Sequence, residues 1–192
     1  MDGFERRKEK KIKQIFSASF ELVMKHGFDK VRVDEIARKA RVSPATIYNY
    51  FGTKEELYQL TFDNWIDSKL REYEEVLNSK ASFNEKIKDL MNHEIRNIKV
   101  LTNLSQQNPE SVHYFLPNLE EKLESFYLNL IKEGKRDGYI SSHYSEQILK
   151  KYFKLFFREI NEDIHTKNDI NYNEEIEQLL QLVFHGLSSK QK

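Results

Sequence analysis

Glycine and proline are scarce in this chain, which has 6 Gly and 3 Pro among its 192 residues. Most tight turns use one of these two residues, so a fold of many short strands has little material for its turns. Aromatic side chains are frequent, with 13 Phe and 10 Tyr, and this argues against a disordered chain. The composition therefore predicts a folded, all-α protein made of long helices.

The chain also lacks cysteine, which excludes a disulfide scaffold, a thiolate zinc site and a cysteine nucleophile. No apolar run approaches the roughly 18–20 residues needed to cross a bilayer. The N-terminal stretch MDGFERRKEKK is too charged for a secretory signal. We expect a soluble, cytoplasmic protein with no membrane partner.

Positive and negative charges balance over the whole chain, 31 against 31, but not along it. Residues 1–54 carry 13 Lys and Arg against 7 Asp and Glu, a surplus of six positive charges, and the rest carries 18 against 24. A basic front on an acidic body favours a polyanionic partner for the front alone. The cations of residues 6–11 fit a solvated helix start equally well, so charge alone leaves both interpretations open.

The first 52 residues contain the pattern of a helix-turn-helix. Apolar residues recur at three- and four-residue steps in residues 8–26 and 33–40, which predicts two amphipathic helices. Ser43-Pro44 then predicts a third helix, with a capping hydroxyl and proline in its first turn. In that helix, residues 44–50, the outward face is small and polar, as entry into a DNA major groove requires.

The stretch GFDKVRVDEIARKARVSPATIYNYFGTKEELY (27–58) resembles the DNA-binding domain of TetR-family transcriptional regulators. The preceding IFSASFELVMKHGF (15–28) resembles the first helix of that family. The resemblance implies a helix-turn-helix DNA-binding domain at 1–52 and a helical effector-binding and dimerisation domain at 53–192. With the helix starts found along the rest of the chain, about nine helices are expected.

The resemblance also implies roles for individual residues, with the third helix as the recognition helix. Base or groove contacts are implied for Ala45, Thr46, Tyr48 and Asn49. Contacts with DNA phosphates are expected for Arg32, Arg41, Ser43, Tyr50, Thr53 and Lys54. Two of these depart from the family pattern, since Arg41 stands where glycine is usual and Arg32 where a capping Ser or Thr is common. For both arginines, an exposed charge without a DNA role is the alternative.

The last two predicted helices, with YFKLFF (152–157) and IEQLLQLVFHGL (176–187), are apolar on more than one side. Such helices need a second covering surface. The resemblance implies a homodimer through a four-helix bundle, with an interface of Phe153, Phe156, Phe157, Leu179, Leu180, Val183 and Phe184. The alternative is that the three phenylalanines fill the core of their own chain. A dimer would place two recognition helices about 34–36 Å apart on a near-palindrome.

The middle helices would surround a ligand pocket in this family. Its candidate lining residues are Phe62, Trp65, Phe126, Tyr127 and Tyr152. Aromatic walls favour a small apolar or aromatic ligand. The function implied is a repressor released from a palindromic operator by such a ligand. A ligand-independent architectural DNA-binding protein, or an interaction module with a non-functional helix-turn-helix, remains the alternative.

Signatures of catalysis are missing from the sequence. The six histidines are scattered without an H-x-x-x-H pair, and neither G-x-S-x-G nor a glycine-rich phosphate loop occurs. We expect no enzymatic activity, no cofactor and no metal site. The expected partners are double-stranded DNA, a second copy of the chain and an unknown small-molecule effector.

Overall fold

A computed structural model describes residues 3–107, 119–166 and 172–186, which form eight α-helices. In chain order these are α1 Gly3–His26, α2 Val33–Ala40, α3 Pro44–Phe51, α4 Lys54–Leu77, α5 Phe83–Gln107, α6 Leu119–Arg136, α7 Glu146–Thr166 and α8 Tyr172–Gly186. The predicted all-α fold is confirmed. The additional short helix expected to begin at Asn108-Pro109 lies outside the described residues.

Local capping signals set the starts of α4 and α5. The Thr53 hydroxyl accepts a hydrogen bond from the Glu56 N–H at 3.1 Å, and the Glu56 carboxylate accepts one from the Thr53 N–H at 3.0 Å. Ser82 and Glu85 make the same reciprocal pair at 3.4 and 2.9 Å. Each cap is worth about 1 kcal/mol. The predicted capping boxes are confirmed, whereas α1 begins five residues earlier than its apolar pattern indicated.

Helices α1, α2 and α3 and the first half of α4 enclose one group of buried side chains, called here the N-terminal cluster. Its fully buried members include Ile15, Val23, Ile36, Ile47, Leu57 and Phe62. The buried Tyr58 hydroxyl on α4 donates a hydrogen bond to the Val31 carbonyl at 3.2 Å. This bond ties the loop between α1 and α2 to α4, so the helix-turn-helix sits on a rigid base.

The second half of α4 packs with α5, α6, α7 and α8 around another group of buried side chains, the C-terminal cluster. It includes Tyr73, Leu77, Phe126, Leu130, Leu149 and Phe153. Because α4 contributes to both clusters, the boundary expected between residues 52 and 53 stays a prediction. Among the described helices, none combines the length and apolar character needed to cross a bilayer.

Candidate nucleic-acid interface

The turn between α2 and α3 is a tight helix end with an unusual residue. Arg41 follows the last residue of α2 with φ 57° and ψ 44°, the left-handed conformation. Its N–H donates to the Arg38 carbonyl at 3.3 Å, and the Val42 N–H donates to the Ala37 carbonyl at 3.0 Å. This bond pair is the Schellman arrangement, in which glycine usually occupies the position of Arg41. The turn therefore keeps its ordinary shape and carries the strain of a non-glycine residue.

Helix α3 begins immediately after this turn with a complete N-cap. The Ser43 hydroxyl accepts a hydrogen bond from the Thr46 N–H at 3.1 Å, and the two hydroxyl oxygens are 2.8 Å apart. Pro44 occupies the first turn, where a missing N–H costs nothing. The hydroxyls of Ser43 and Thr46 are thus already engaged with each other, and any contact with DNA must share them.

The two faces of α3 differ sharply in exposure. Ile47 and Phe51 are buried, and the Phe51 ring packs on Phe16 with 5.4 Å between ring centroids. On the other side, Tyr48 is 51% exposed, and Ala45 and Asn49 are also exposed. An exposed tyrosine on a well-anchored helix has an aromatic body and a hydroxyl available for an external partner.

The end of α3 and the start of α4 form a flank with two aromatic and two cationic groups. Tyr50 is half-buried, and the Lys8 Nζ lies 6.0 Å from the centre of its ring. The Lys54 Nζ lies 5.4 Å from the centre of the Tyr58 ring. The exposed Thr53 hydroxyl donates to the Glu56 carboxylate at 3.2 Å. Lys8 was not among the residues predicted for the site, although it belongs to the basic run whose role the sequence left open.

Arg32 is exposed at the position that precedes α2. Its own side chain cannot accept a cap bond, but its N–H donates to the Glu35 carboxylate at 3.0 Å. The guanidinium lies 3.7 Å from the Asp34 carboxylate. Half of a capping box thus replaces the missing Ser or Thr, and a neighbouring acid partly offsets the positive charge of Arg32.

The five residues predicted to line one pocket are divided between the two clusters. Phe62 and Trp65 pack on Phe20 of α1, with centroid distances of 5.4 and 5.7 Å, so they belong to the N-terminal side. Phe126 and Tyr127 lie in the C-terminal region, where the Tyr127 ring stacks on another aromatic ring at 5.0 Å. Tyr152 is partly exposed, and its hydroxyl donates to a carbonyl of α8 at 3.3 Å. The length of α4 explains the division, since its early turns face α1.

A polar group that the sequence analysis missed lies beside the aromatic residues of the C-terminal cluster. The Tyr73 hydroxyl donates to the Glu94 carboxylate and accepts a hydrogen bond from the Asn97 amide at 2.8 Å. Burial raises the pKa of Glu94, although the bond from Tyr73 opposes this shift. Burial and the nearby Glu94 charge also raise the pKa of Tyr73 well above its ordinary value. Helical periodicity carries no signal for such a group, because both residues fall on otherwise apolar faces.

The predicted dimer residues need correction. Phe153 is 1% exposed and stacks on Tyr127, and Val183 is also buried, so both side chains fill the core of their own chain. Phe156 and Leu179 are half-buried. The side chains of Phe157, Leu180 and Phe184 lie outside the described part of the chain.

Other apolar side chains on the same two helices are exposed instead. Together they are called here the α7–α8 apolar face: Ile148, Tyr152, Leu155 and Leu182. Leu155 is 55% exposed and Leu182 is 67% exposed. On α7 the first three members are spaced by four and three residues, so they share one side of the helix.

A capped helix with an outward polar face, held behind a tight turn on a buried base, defines a helix-turn-helix DNA-binding protein. Residues 15–60 match the family model described as bacterial regulatory proteins of the tetR family. The chain belongs to the TetR family and is a DNA-binding transcriptional regulator.

Relatives over most of the chain agree with this identification. The fatty acid metabolism regulator protein of Bacillus subtilis (strain 168) is 26% identical over 185 residues, which cover 88% of this chain and 90% of that protein. The fatty acid degradation regulator FadR from Bacillus halodurans matches with a TM-score of 0.66 and 21% identity, covering 91% of this chain and 94% of that one. The structure of FadR from Bacillus subtilis in complex with stearoyl-CoA matches with a TM-score of 0.62 and 20% identity, covering 90% and 97%. These structures share the fold of the chain.

Proposed function

We propose that this TetR-family regulator is a homodimeric repressor, which binds a palindromic operator through α3 and releases it when an acyl thioester binds among the C-terminal helices. The observation that carries the DNA-binding part is the outward face of α3. Tyr48 is half exposed there, while Ile47 and Phe51 anchor the opposite face. A helix held in this way can enter a major groove without reorganising, which limits the entropic cost of binding.

The residues around α3 divide into two roles. Base or groove contacts are proposed for Ala45, Thr46, Tyr48 and Asn49. Phosphate contacts, which position α3 without reading sequence, are proposed for Arg32, Arg41, Ser43, Tyr50, Thr53 and Lys54. Lys54 lies in the first turn of α4, where free backbone N–H groups also favour an anion.

The DNA-binding role is tested with duplexes that wild-type protein selects from a random-sequence library. Tyr48→Ala should weaken binding to the selected duplex far more than binding to a scrambled duplex. Tyr144→Ala is the matched control, because Tyr144 is 42% exposed on the loop before α7, away from α3. Equal behaviour of the two variants in fluorescence anisotropy would remove Tyr48 from the reading surface.

The α7–α8 apolar face supports the homodimer. Ile148, Leu155 and Leu182 leave an apolar surface uncovered in the single chain, and such surfaces on soluble proteins mark interfaces. A two-fold dimer presents two copies of α3 about one DNA turn apart, which matches a palindrome.

The effector class comes from the relatives. The named fatty acid metabolism regulator aligns with nearly the whole chain, and the FadR structure from Bacillus subtilis holds stearoyl-CoA. The C-terminal cluster offers an apolar and aromatic environment suited to a long acyl chain, with Tyr73, Phe126 and Tyr127 among its members.

An ion-pair bridge offers a route from the C-terminal helices to the DNA-binding surface. The Lys122 Nζ on α6 lies 2.7 Å from the Asp67 carboxylate and 3.2 Å from the Asp63 carboxylate, both on α4. Helix α4 carries Lys54 at its first residue. In the proposed mechanism, a ligand that shifts α6 tilts α4, and the spacing of the two recognition helices changes.

The effector proposal is tested by adding stearoyl-CoA to the protein bound to its selected duplex. A coupling of about 1–3 kcal/mol would weaken DNA binding roughly 5- to 150-fold. Free CoA is the control that lacks the acyl chain, and it should have no such effect. Tight DNA binding that ignores stearoyl-CoA would leave the DNA-binding role intact and would favour ligand-independent regulation.

A further inference from the structure

The first turns of α1 extend beyond the body of the N-terminal cluster. Residues 3–11 are all exposed, and Ile12 is the first residue of α1 that packs against the cluster. At a rise of about 1.5 Å per residue, the nine residues before Ile12 extend roughly 14 Å from the core. This segment, residues 3–11, is called here the α1 overhang.

The charges of the overhang and the next turn work against the helix that carries them. Six cations, Arg6, Arg7, Lys8, Lys10, Lys11 and Lys13, follow the single acid of the first turn, and Glu9 is the one acid among them. Like charges three and four residues apart repel each other, and cations near a helix N-terminus oppose its dipole. In the described part of the chain, none of the six forms an ion pair within 4.0 Å. An external polyanion would relieve this repulsion.

The position of Lys8 indicates where such a polyanion would lie. Its Nζ is 6.0 Å from the centre of the Tyr50 ring, next to the phosphate contacts proposed at the end of α3. At roughly 100° per residue, Lys11 and Arg7 lie about 60° and 100° from Lys8 around the helix, on one side of it. The other three cations lie roughly 140–160° away, where they line a shallow open groove with Glu9.

We propose that Arg7, Lys8 and Lys11 form a second phosphate-binding surface, which contacts the duplex backbone beside the groove read by α3. The inference rests on the proposed DNA-binding function and extends it to a segment outside the helix-turn-helix. Contacts of this kind release counterions and carry no sequence information, so they strengthen binding to every duplex equally.

The experiment compares two variants that each remove three positive charges from the same stretch of helix. R7Q/K8Q/K11Q alters the proposed surface, and R6Q/K10Q/K13Q alters the opposite side. Glutamine has nearly the helix propensity of lysine and arginine, so both variants should keep the helix, which circular dichroism checks. Anisotropy is measured on the selected duplex and on a scrambled duplex of equal length, between about 50 and 200 mM salt.

The R7Q/K8Q/K11Q variant should flatten the dependence of log K on log salt by about 0.9 for each phosphate that the protein no longer neutralises, and it should weaken binding to both duplexes by the same factor. The opposite-side variant should change the slope much less. The charge-preserving variant R7K/K8R/K11R should retain the wild-type slope. Equal slope changes in the two glutamine variants would assign the effect to diffuse charge and overturn the proposal, as would a wild-type slope in R7Q/K8Q/K11Q.

Failure of the proposed function gives a different result. If wild-type protein selects no sequence, the reading role of α3 fails. The slope difference between the two glutamine variants on the scrambled duplex still decides whether the α1 surface holds phosphate.

Discussion

Arg41 offers a substitution that should stabilise the protein while it weakens DNA binding. A left-handed backbone costs a non-glycine residue roughly 1–2 kcal/mol, and Arg41 has φ 57° and ψ 44°. Glycine removes that cost but gains about 0.4–1 kcal/mol of unfolded-state entropy. Arg41→Gly should therefore be more stable than Arg41→Ala by about 0.5–1 kcal/mol. Both variants lose the guanidinium, so their difference isolates the backbone.

Urea unfolding followed by tryptophan fluorescence measures this difference where it matters. Trp65 is the one tryptophan of the chain and stacks on Phe20, so its emission reports on the N-terminal side of the molecule. If Arg41 contacts a phosphate, both variants should also reduce the salt dependence of DNA binding by about 0.9. An Arg41→Gly variant no more stable than Arg41→Ala would refute the strain, and unchanged salt slopes would refute the phosphate contact.

Three further predictions concern other parts of the molecule. Lys54→Ala should weaken binding to selected and scrambled duplexes by the same factor and lower the salt slope by about 0.9, as anisotropy would measure; a loss confined to the selected duplex would contradict a phosphate role. Leu155→Glu combined with Leu182→Glu should give a folded monomer in light scattering with a large loss of operator affinity, because charge on an apolar interface is costly to bury; a dimer of wild-type mass would exclude the α7–α8 apolar face. The raised pKa of Glu94 means that stability is lost as pH rises from the unfolded value, about 4.3, through the folded one. Glu94→Gln should therefore be more stable than wild type near neutral pH and lose that advantage in acid, and urea midpoints independent of pH would contradict the burial argument.

The DNA-binding half of the fold could be predicted because its signals are local. Ser43, Thr53 and Ser82 each make the cap bond expected from the residue three positions later. Arg41 adopts the left-handed conformation that its place in the turn requires, although glycine would do so at lower cost. Hydrogen bonds that span three to five residues are encoded in neighbouring residues, so the sequence alone suffices for them.

The C-terminal half resisted prediction because the identity of the covering surface is not local. Periodicity correctly required two covered sides on α7, yet it could not decide that Phe153 faces its own chain and Leu155 faces outward. Gly134 is a similar case, since a Cβ there would lie 2.7 Å from Ile140 and 2.8 Å from Phe83. Only the packed arrangement reveals why that position of α6 needs a hydrogen for a side chain.

The length of α4 connects the local and non-local parts of the molecule. Lys54 begins the helix beside α3, and Tyr73 on the same helix lies in the C-terminal cluster. Nineteen residues at about 1.5 Å each separate them by roughly 28 Å along one axis. Phe62 packs against α1 between these points, and Lys122 holds the same stretch to α6 through two aspartates. A displacement at the Tyr73 end therefore cannot be absorbed within the C-terminal cluster alone, because the helix that it moves is also the base on which α3 rests.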